Sequence, residues 1–539
     1  MTGKQLVEKA LKLEKVDRIP WVPFVGCHGG KLIDVGAKDY LQSADLIFEG
    51  ISKAVELYNP DGLPVMFDLQ IEAEAMGCKL AWSDENPPAV VSHVLAEGIS
   101  LNDLKIPSPT DGRIGLSLEA AKKIRKEFPD LALYGLITGP FTLALHLMGT
   151  DIFMKMMETP DEVIKLMNFA KEVAKAMAGY YIEAGCDVIA VVDPMTSQID
   201  PGSFEMFVHE PSKYVFDYVR SQGKYSSFFV CGHAQQNIEA MCATEPDNIS
   251  IDENIPLDYV RDIALKHKIS FGGNLKLTVV LLMGTADDCR REAMECMDLG
   301  GKEGFILAPG CDLPADTPPE NIKAITELIH DEYLQDVERA KEKSESQIDL
   351  LNMKDYGKVN KVIVDVITLD SESCAPCQYM VEAVKRVAPH FEGIVEWREH
   401  AIKKMEGVTF MNSLLVKNIP TICIDGKIAF VSQIPPQHEL IAAVQKRINE
   451  KFKLIISSRK AELLILGKTE EECHQAKESV ERAMNETGKH IHVKTSTDSA
   501  LRATYGVSAT PSIVLTEHKV KTQGELPSVD IIKEWLKDI

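Results

Sequence analysis

Short apolar runs that stop at turn residues alternate with longer stretches of helical period through residues 1 to about 340. DVIAVVDP (187–194) follows the amphipathic EVIKLMNFAKEVAKAMAGYYIEAG (162–185), and the same kind of run recurs as ALYGLITGP (132–140), YSSFFVCG (225–232), ISFGGNL (269–275) and GFILAPG (304–310). The alternation predicts parallel strands joined by crossover helices. Their number and span fit an α/β fold, a (β/α)8 TIM barrel over residues 1–345.

From about 330 the strand character is lost and charged residues dominate, which predicts a terminal helix running into a linker at 346–360. KVIVDVITL (361–369) then starts a new strand, Cys374-Ala-Pro-Cys377 follows, QYMVEAVKRVAPHF reads as a helix and NIPTICIDGKIAFV as a hairpin. This order resembles thioredoxin and assigns residues 361–450 to a thioredoxin-like α/β domain with a CxxC. The order then repeats imperfectly: KLIISS and AELLILG predict strands, EEECHQAKESVERAMNETG a helix, and GVSATPSIVLTEHKV a hairpin entered through a proline. Residues 451–539 are thus expected to be a degenerate thioredoxin-like domain without the dithiol.

At 539 residues the chain exceeds what one core usually fills. Its formal charge of −22 argues against nucleic acid and anionic membrane as partners, since both reward a basic face. The opening MTGKQLVEKALKLEKVDRIP carries charge throughout its helical period, so it reads neither as a signal peptide nor as a membrane span. A cytoplasmic location is expected, where the twelve scattered cysteines would be reduced thiols, metal ligands or catalytic groups.

Cys231 and Cys311 each follow an apolar run, which puts both at the carboxyl ends of barrel strands, the face where such barrels keep their chemistry. Two thiolates there suit zinc, with His233 the nearest imidazole for a third ligand. By spacing alone, a pair of buried thiols fits equally well.

RIPWVPF, IEAEAMGCKL, GPFTLALHLMGTD, GCDVIAVVDP and GFILAPGCDLPADTPPENIKA resemble the methylcobamide:coenzyme M methyltransferase branch of the uroporphyrinogen decarboxylase superfamily over residues 1–335. The resemblance implies a zinc site made by a His-x-Cys pair and a later Cys, with Cys231 and Cys311 matching the two cysteines. The histidine does not match, because Phe229 stands two residues before Cys231. Three outcomes stay open: His233 serves from the other side, a residue at the barrel mouth such as His28 or Glu74 substitutes, or the metal is lost. His28 and Glu74 are also candidate substrate-binding residues, and Asp193 at the end of VIAVVDP is a candidate catalytic residue that orients substrate, or else a cap for the next element.

The resemblance further implies methyl transfer between a methylcorrinoid and a small thiol or related acceptor. The chain carries no Asp-x-His-x-x-Gly corrinoid signature, so the methylcorrinoid would be carried by a separate corrinoid protein. Two alternatives remain: a metal-free barrel that docks a thioredoxin-like reductase onto a corrinoid protein, and a lyase like the decarboxylase itself. Against the lyase stands PFVGCHGGKL, which has no arginine where a polyanionic substrate calls for several.

Cys374 and Cys377 are the catalytic residues expected of the second domain. A helix start offers unpaired backbone N–H groups to a negative Cys374 sulfur, and Cys377 one turn along would resolve a mixed disulfide. Pro420 resembles the proline that faces such a dithiol and shapes substrate binding, and Pro511 holds the equivalent place in the last domain, where Cys473 is the lone cysteine.

Overall fold

A computed structural model describes residues 1–341, 350–357, 361–372, 374–458, 461–488, 491–517 and 531. It packs as two compact units, Met1–Leu440 and Ile441–Ile539. Residues 346–349 and 358–360 of the expected linker lie outside the described residues.

In the first unit the strands run β1 (Gly62–Pro64), a short ribbon β2 (Leu80–Ala81) and β3 (Ala89–Val90), then β4 (Ala132–Thr138), β5 (Val188–Val192), β6 (Tyr225–Val230), β7 (Asn248–Ile251), β8 (Ser270–Leu275) and β9 (Phe305–Pro309). All but the ribbon form one sheet in the order β1-β4-β5-β6-β7-β8-β9, and every pairing is parallel. Residues 20–22 close the curl. Trp21 pairs in parallel with Leu307 of β9, and its carbonyl accepts from the Asp61 N–H at the foot of β1 (2.8 Å). Parallel strands covered by helices on the outside are buried on both faces, which is why β4 and β5 read as unbroken apolar runs. The interior is packed with Val22, Phe24, Phe67, Tyr134, Ala190, Phe229 and Ile306 and is a filled core, not a pore.

Further along the same unit lie β10 (Val362–Thr368), β11 (Val395–Ala401), β12 (Thr421–Ile424) and β13 (Lys427–Val431), ordered β11-β10-β12-β13. β10 is parallel to β11 and antiparallel to β12, with the helix Ala375–Val387 between β10 and β11 in the chain. This is the thioredoxin-like arrangement that the order of elements predicts.

The second unit holds β14 (Ala461–Leu466), β15 (His492–Ser496) and β16 (Ser512–Glu517), ordered β15-β14-β16, again one parallel and one antiparallel pairing. The second strand of its expected hairpin falls beyond the described residues. KLIISS, predicted as a strand, is instead the end of the helix Gln437–Ser458. Leu440, Val444 and Ile448 are buried at four-residue spacing and neither Gly nor Pro interrupts the stretch, so the helix propagates through the expected boundary at 450.

Candidate functional site

The site begins with strand alternation. Along β6 every second side chain points into the barrel, so Phe229 and the position of Cys231 share a face. Phe229 is 1% exposed and packs its ring 4.9 Å from that of Phe24 and 5.8 Å from that of Phe67. An aromatic hydrocarbon therefore fills the place from which a His-x-Cys imidazole would reach the mouth.

After Cys231 the chain leaves the strand through Gly232, whose φ of +86° belongs to the left-handed region. Alternation ends there. Half-buried His233 is not among the residues that line the cavity at Cys231. The register pairs Val230 with Ile251, so the next residues, Cys231 and Asp252, sit at adjacent strand ends. Asp252 accepts from the N–H groups of Gly232 and Asn254, each at 2.9 Å, and burial raises its carboxyl above the usual range.

Cys311 follows β9 and lines the same cavity as Cys231, and this neighbouring thiol is the first cause holding the Cys231 thiol well above its ordinary value. Burial and the neighbouring charges of Cys311, Asp252 and Cys374 act in the same direction. Asp312 packs against Gly26 so closely that a Cβ there would come within 2.4 Å of its Oδ1, which only glycine allows.

The other wall of this cavity comes from the thioredoxin-like segment. Cys374, Cys377, Lys403, Ile419 and Pro420 line it together with Cys231, Asp252 and Cys311. Cys374 is the N-cap of the helix Ala375–Val387 and gives that helix no side-chain cap. Cys377, one turn along, is fully buried and its sulfur accepts from Leu369 N–H (3.3 Å). Burial, then the neighbouring Cys374, push the Cys377 thiol well up. Pro420, preceded by a cis peptide bond, lines the same cavity as the dithiol.

Specific contacts hold this wall in place. Gln378 Nε2 donates to the Val90 carbonyl of the ribbon (2.7 Å), and Lys403 Nζ to Asn86 Oδ1 (2.6 Å). Arg386 donates to Thr150 Oγ1 (3.0 Å), and Gln198 Oε1 accepts from Ile434 N–H (3.2 Å). Tyr379, fully buried, lies with its ring 6.0 Å from His93.

Three expected site residues are engaged elsewhere. Asp193 is fully buried and caps the helix Pro140–Met148, accepting from Phe141 N–H (3.0 Å), Thr142 N–H (2.8 Å) and Thr142 Oγ1 (2.6 Å). Burial pushes its carboxyl up to about 6 despite those donors. His28 is buried between the Ala315 carbonyl (2.9 Å) and Tyr58 Oη (2.7 Å), and burial lowers its pKa. Glu74 accepts from Arg113 Nε at 2.7 Å. None of the three lines the cavity.

Among the described residues no group of three or more His, Cys, Asp or Glu side chains is gathered to hold a metal ion. The donors fit poorly with a zinc centre, which needs at least three protein ligands. Sequence reasoning missed Asp252, Asp312, Cys27 and Lys403. Asp252 follows NISI as Asp193 follows VIAVV, so its strand-end position was readable; Lys403 reaches the mouth only by tertiary packing.

Comparison with known proteins places these observations. The chain is 28% identical to the methylcobamide:CoM methyltransferase MtbA of Methanosarcina acetivorans over 334 residues, 60% of this chain and 97% of that protein. It is 29% identical to MtaA of Methanosarcina barkeri over 62% of this chain and 98% of the relative. A solved methyltransferase from Methanosarcina mazei superposes with a TM-score of 0.57 at 26% identity, covering 62% of this chain and 99% of its own. The thioredoxin-domain family matches residues 461–537, in the segment that lacks the CxxC. The uroporphyrinogen decarboxylase (URO-D) family matches residues 2–332, more than half of the sequence, and the chain belongs to that family.

Proposed function

We propose that the barrel mouth carries corrinoid-linked methyl transfer, moving a methyl group between a methylcorrinoid on a separate corrinoid protein and a small thiol acceptor. The observation that carries this reading is the pair Cys231 and Cys311, seated at two strand ends in one cavity within a barrel that spans nearly the whole of its methyltransferase relatives. In the transfer the methyl leaves cobalt for the acceptor sulfur, and the acceptor gives up its proton. Asp252, raised by burial, takes a proton more readily than an exposed carboxylate would, and it lines the same cavity. The twelve unbridged cysteines suit a cytoplasmic location.

The Cys374–Cys377 dithiol is, in this reading, a fused thiol–disulfide module that keeps thiols of the reaction reduced. A second reading, a metal-free barrel that only docks this module, draws on Phe229 in the barrel core and on the lack, among the described residues, of three gathered metal-ligating side chains. One assay separates the two. The intact chain, purified anaerobically, is supplied with a methylated corrinoid protein and coenzyme M, and the methyl thioether is followed by mass spectrometry alongside elemental analysis. We expect product with wild type and none with Cys311→Ser. Turnover unchanged in Cys311→Ser would hand the barrel to the docking reading, and zinc retained in a Cys231→Ser, Cys311→Ser double variant would remove both cysteines from any metal site.

A further inference from the structure

A thioredoxin-like dithiol that serves protein substrates needs its rim open to them. Here that rim packs against the barrel, with Cys374 half-buried. Pro376, Cys377, Tyr379 and Met380 are buried, and Cys374 lines one cavity together with Cys231 and Cys311. The packing is held by directed hydrogen bonds, Gln378 to the Val90 carbonyl and Lys403 to Asn86, on either side of the dithiol. Neither cysteine pair is bridged, and all four cysteines line this one cavity.

We propose that the substrate of the Cys374–Cys377 dithiol is the Cys231–Cys311 pair of the same chain. The inference rests on the barrel reading only in taking that pair as the reactive one. A small disulfide or a peroxide oxidises the barrel pair to a Cys231–Cys311 disulfide. The Cys374 thiolate attacks one sulfur of that bond, forms a mixed disulfide and releases the other barrel cysteine as a thiolate, which takes a proton. Cys377 then gives up its proton and attacks Cys374, the mixed disulfide breaks, and the second barrel thiol is restored. Two electrons and two protons have moved from the dithiol to the barrel pair, and a small external dithiol resets Cys374–Cys377. Tethering holds the two pairs at an effective concentration on the order of millimolar, so exchange within the chain outruns exchange between chains.

The test uses the full chain. Cys377→Ser cannot complete the second step, so after mild oxidation with diamide it is expected to trap a mixed disulfide, read by peptide mapping under non-reducing conditions as Cys374 linked to Cys231 or Cys311. Cys374 linked only to a second chain or left free would overturn the proposal. Wild type supplies a check that needs no substitution. Fully oxidised and then given one equivalent of dithiothreitol, it is expected to regain Cys231 and Cys311 as thiols while the disulfide remains at Cys374–Cys377. A Cys231–Cys311 disulfide persisting beside a reduced Cys374–Cys377 would overturn it. The methyl-transfer assay reads separately: exchange without methyl transfer sinks the barrel reading alone, and methyl transfer without exchange sinks this inference alone.

Discussion

Over the described residues the two thioredoxin-like segments share the strand order β11-β10-β12 and β15-β14-β16, and they differ at the start of the first helix. In the first, the N-cap is Cys374, which makes no capping bond, and the third residue beyond it is buried Cys377. In the second, the N-cap is Thr469, whose hydroxyl accepts from Glu472 N–H (3.2 Å), and Cys473 is turned inward to donate to the Ser496 carbonyl (3.7 Å). Both keep a cis proline, Pro420 and Pro511. The fold therefore supplies a helix end with spare donors, and one side chain decides their use. A hydroxyl spends them on stability, and a thiol leaves them for chemistry.

The largest effect expected from this contrast is on dithiol cycling. Cys374→Ser should remove the module's disulfide altogether, whereas Cys473→Ser should leave it intact, as counted by mass spectrometry of alkylated intact chains. Loss of the disulfide in Cys473→Ser would mean that the second segment takes part. Next in size is the split in reactivity within the dithiol. Burial and Cys374 raise the Cys377 thiol, so at neutral pH it stays protonated, and its reactive thiolate accumulates only above the ordinary thiol range. Alkylation of Cys377 should lag Cys374 on the order of tenfold or more at pH 7 and gain on it as pH rises, one unit of pKa being a tenfold change in thiolate. Equal rates at neutral pH would contradict the buried position. The smallest effect concerns the cap itself. Thr469→Ala should cost its helix about 1 kcal/mol and speed first-turn amide exchange roughly fivefold, while Cys374→Ala, which removes no capping bond, should leave first-turn exchange nearly unchanged.

Much of this was legible in the sequence, and for local reasons. The runs ending in Cys231, Asp193 and Cys311 are strands because an all-parallel sheet buries both faces, and Cys374-Ala-Pro-Cys377 opens a helix as its position after β10 implies. Gly62–Pro64 and Asn248–Ile251 escaped because three residues, or four with Asn and Ser among them, carry too little apolar signal. KLIISS misled because its apolar run is ambiguous between helix and strand until the preceding four-residue period is followed through it. Sequence position put Glu74 and His28 near the mouth, but their partners, Arg113 for one and Ala315 with Tyr58 for the other, are 39, 287 and 30 residues away and claim them for structure. The docking of the dithiol over the barrel pair depends on Gln378 meeting Val90 across 288 residues, a contact no local pattern encodes.

In the proposed scheme the barrel's cysteine pair is both the reactive centre and the target of the fused dithiol. The most direct measurement follows methyl-transfer turnover by the intact wild-type chain, with coenzyme M as acceptor, while the thiol–disulfide balance of the medium is stepped and the disulfides are mapped at each step. Turnover should fall in proportion to the Cys231–Cys311 disulfide and return when that bond is reduced. Full turnover with Cys231 and Cys311 bridged would contradict the account.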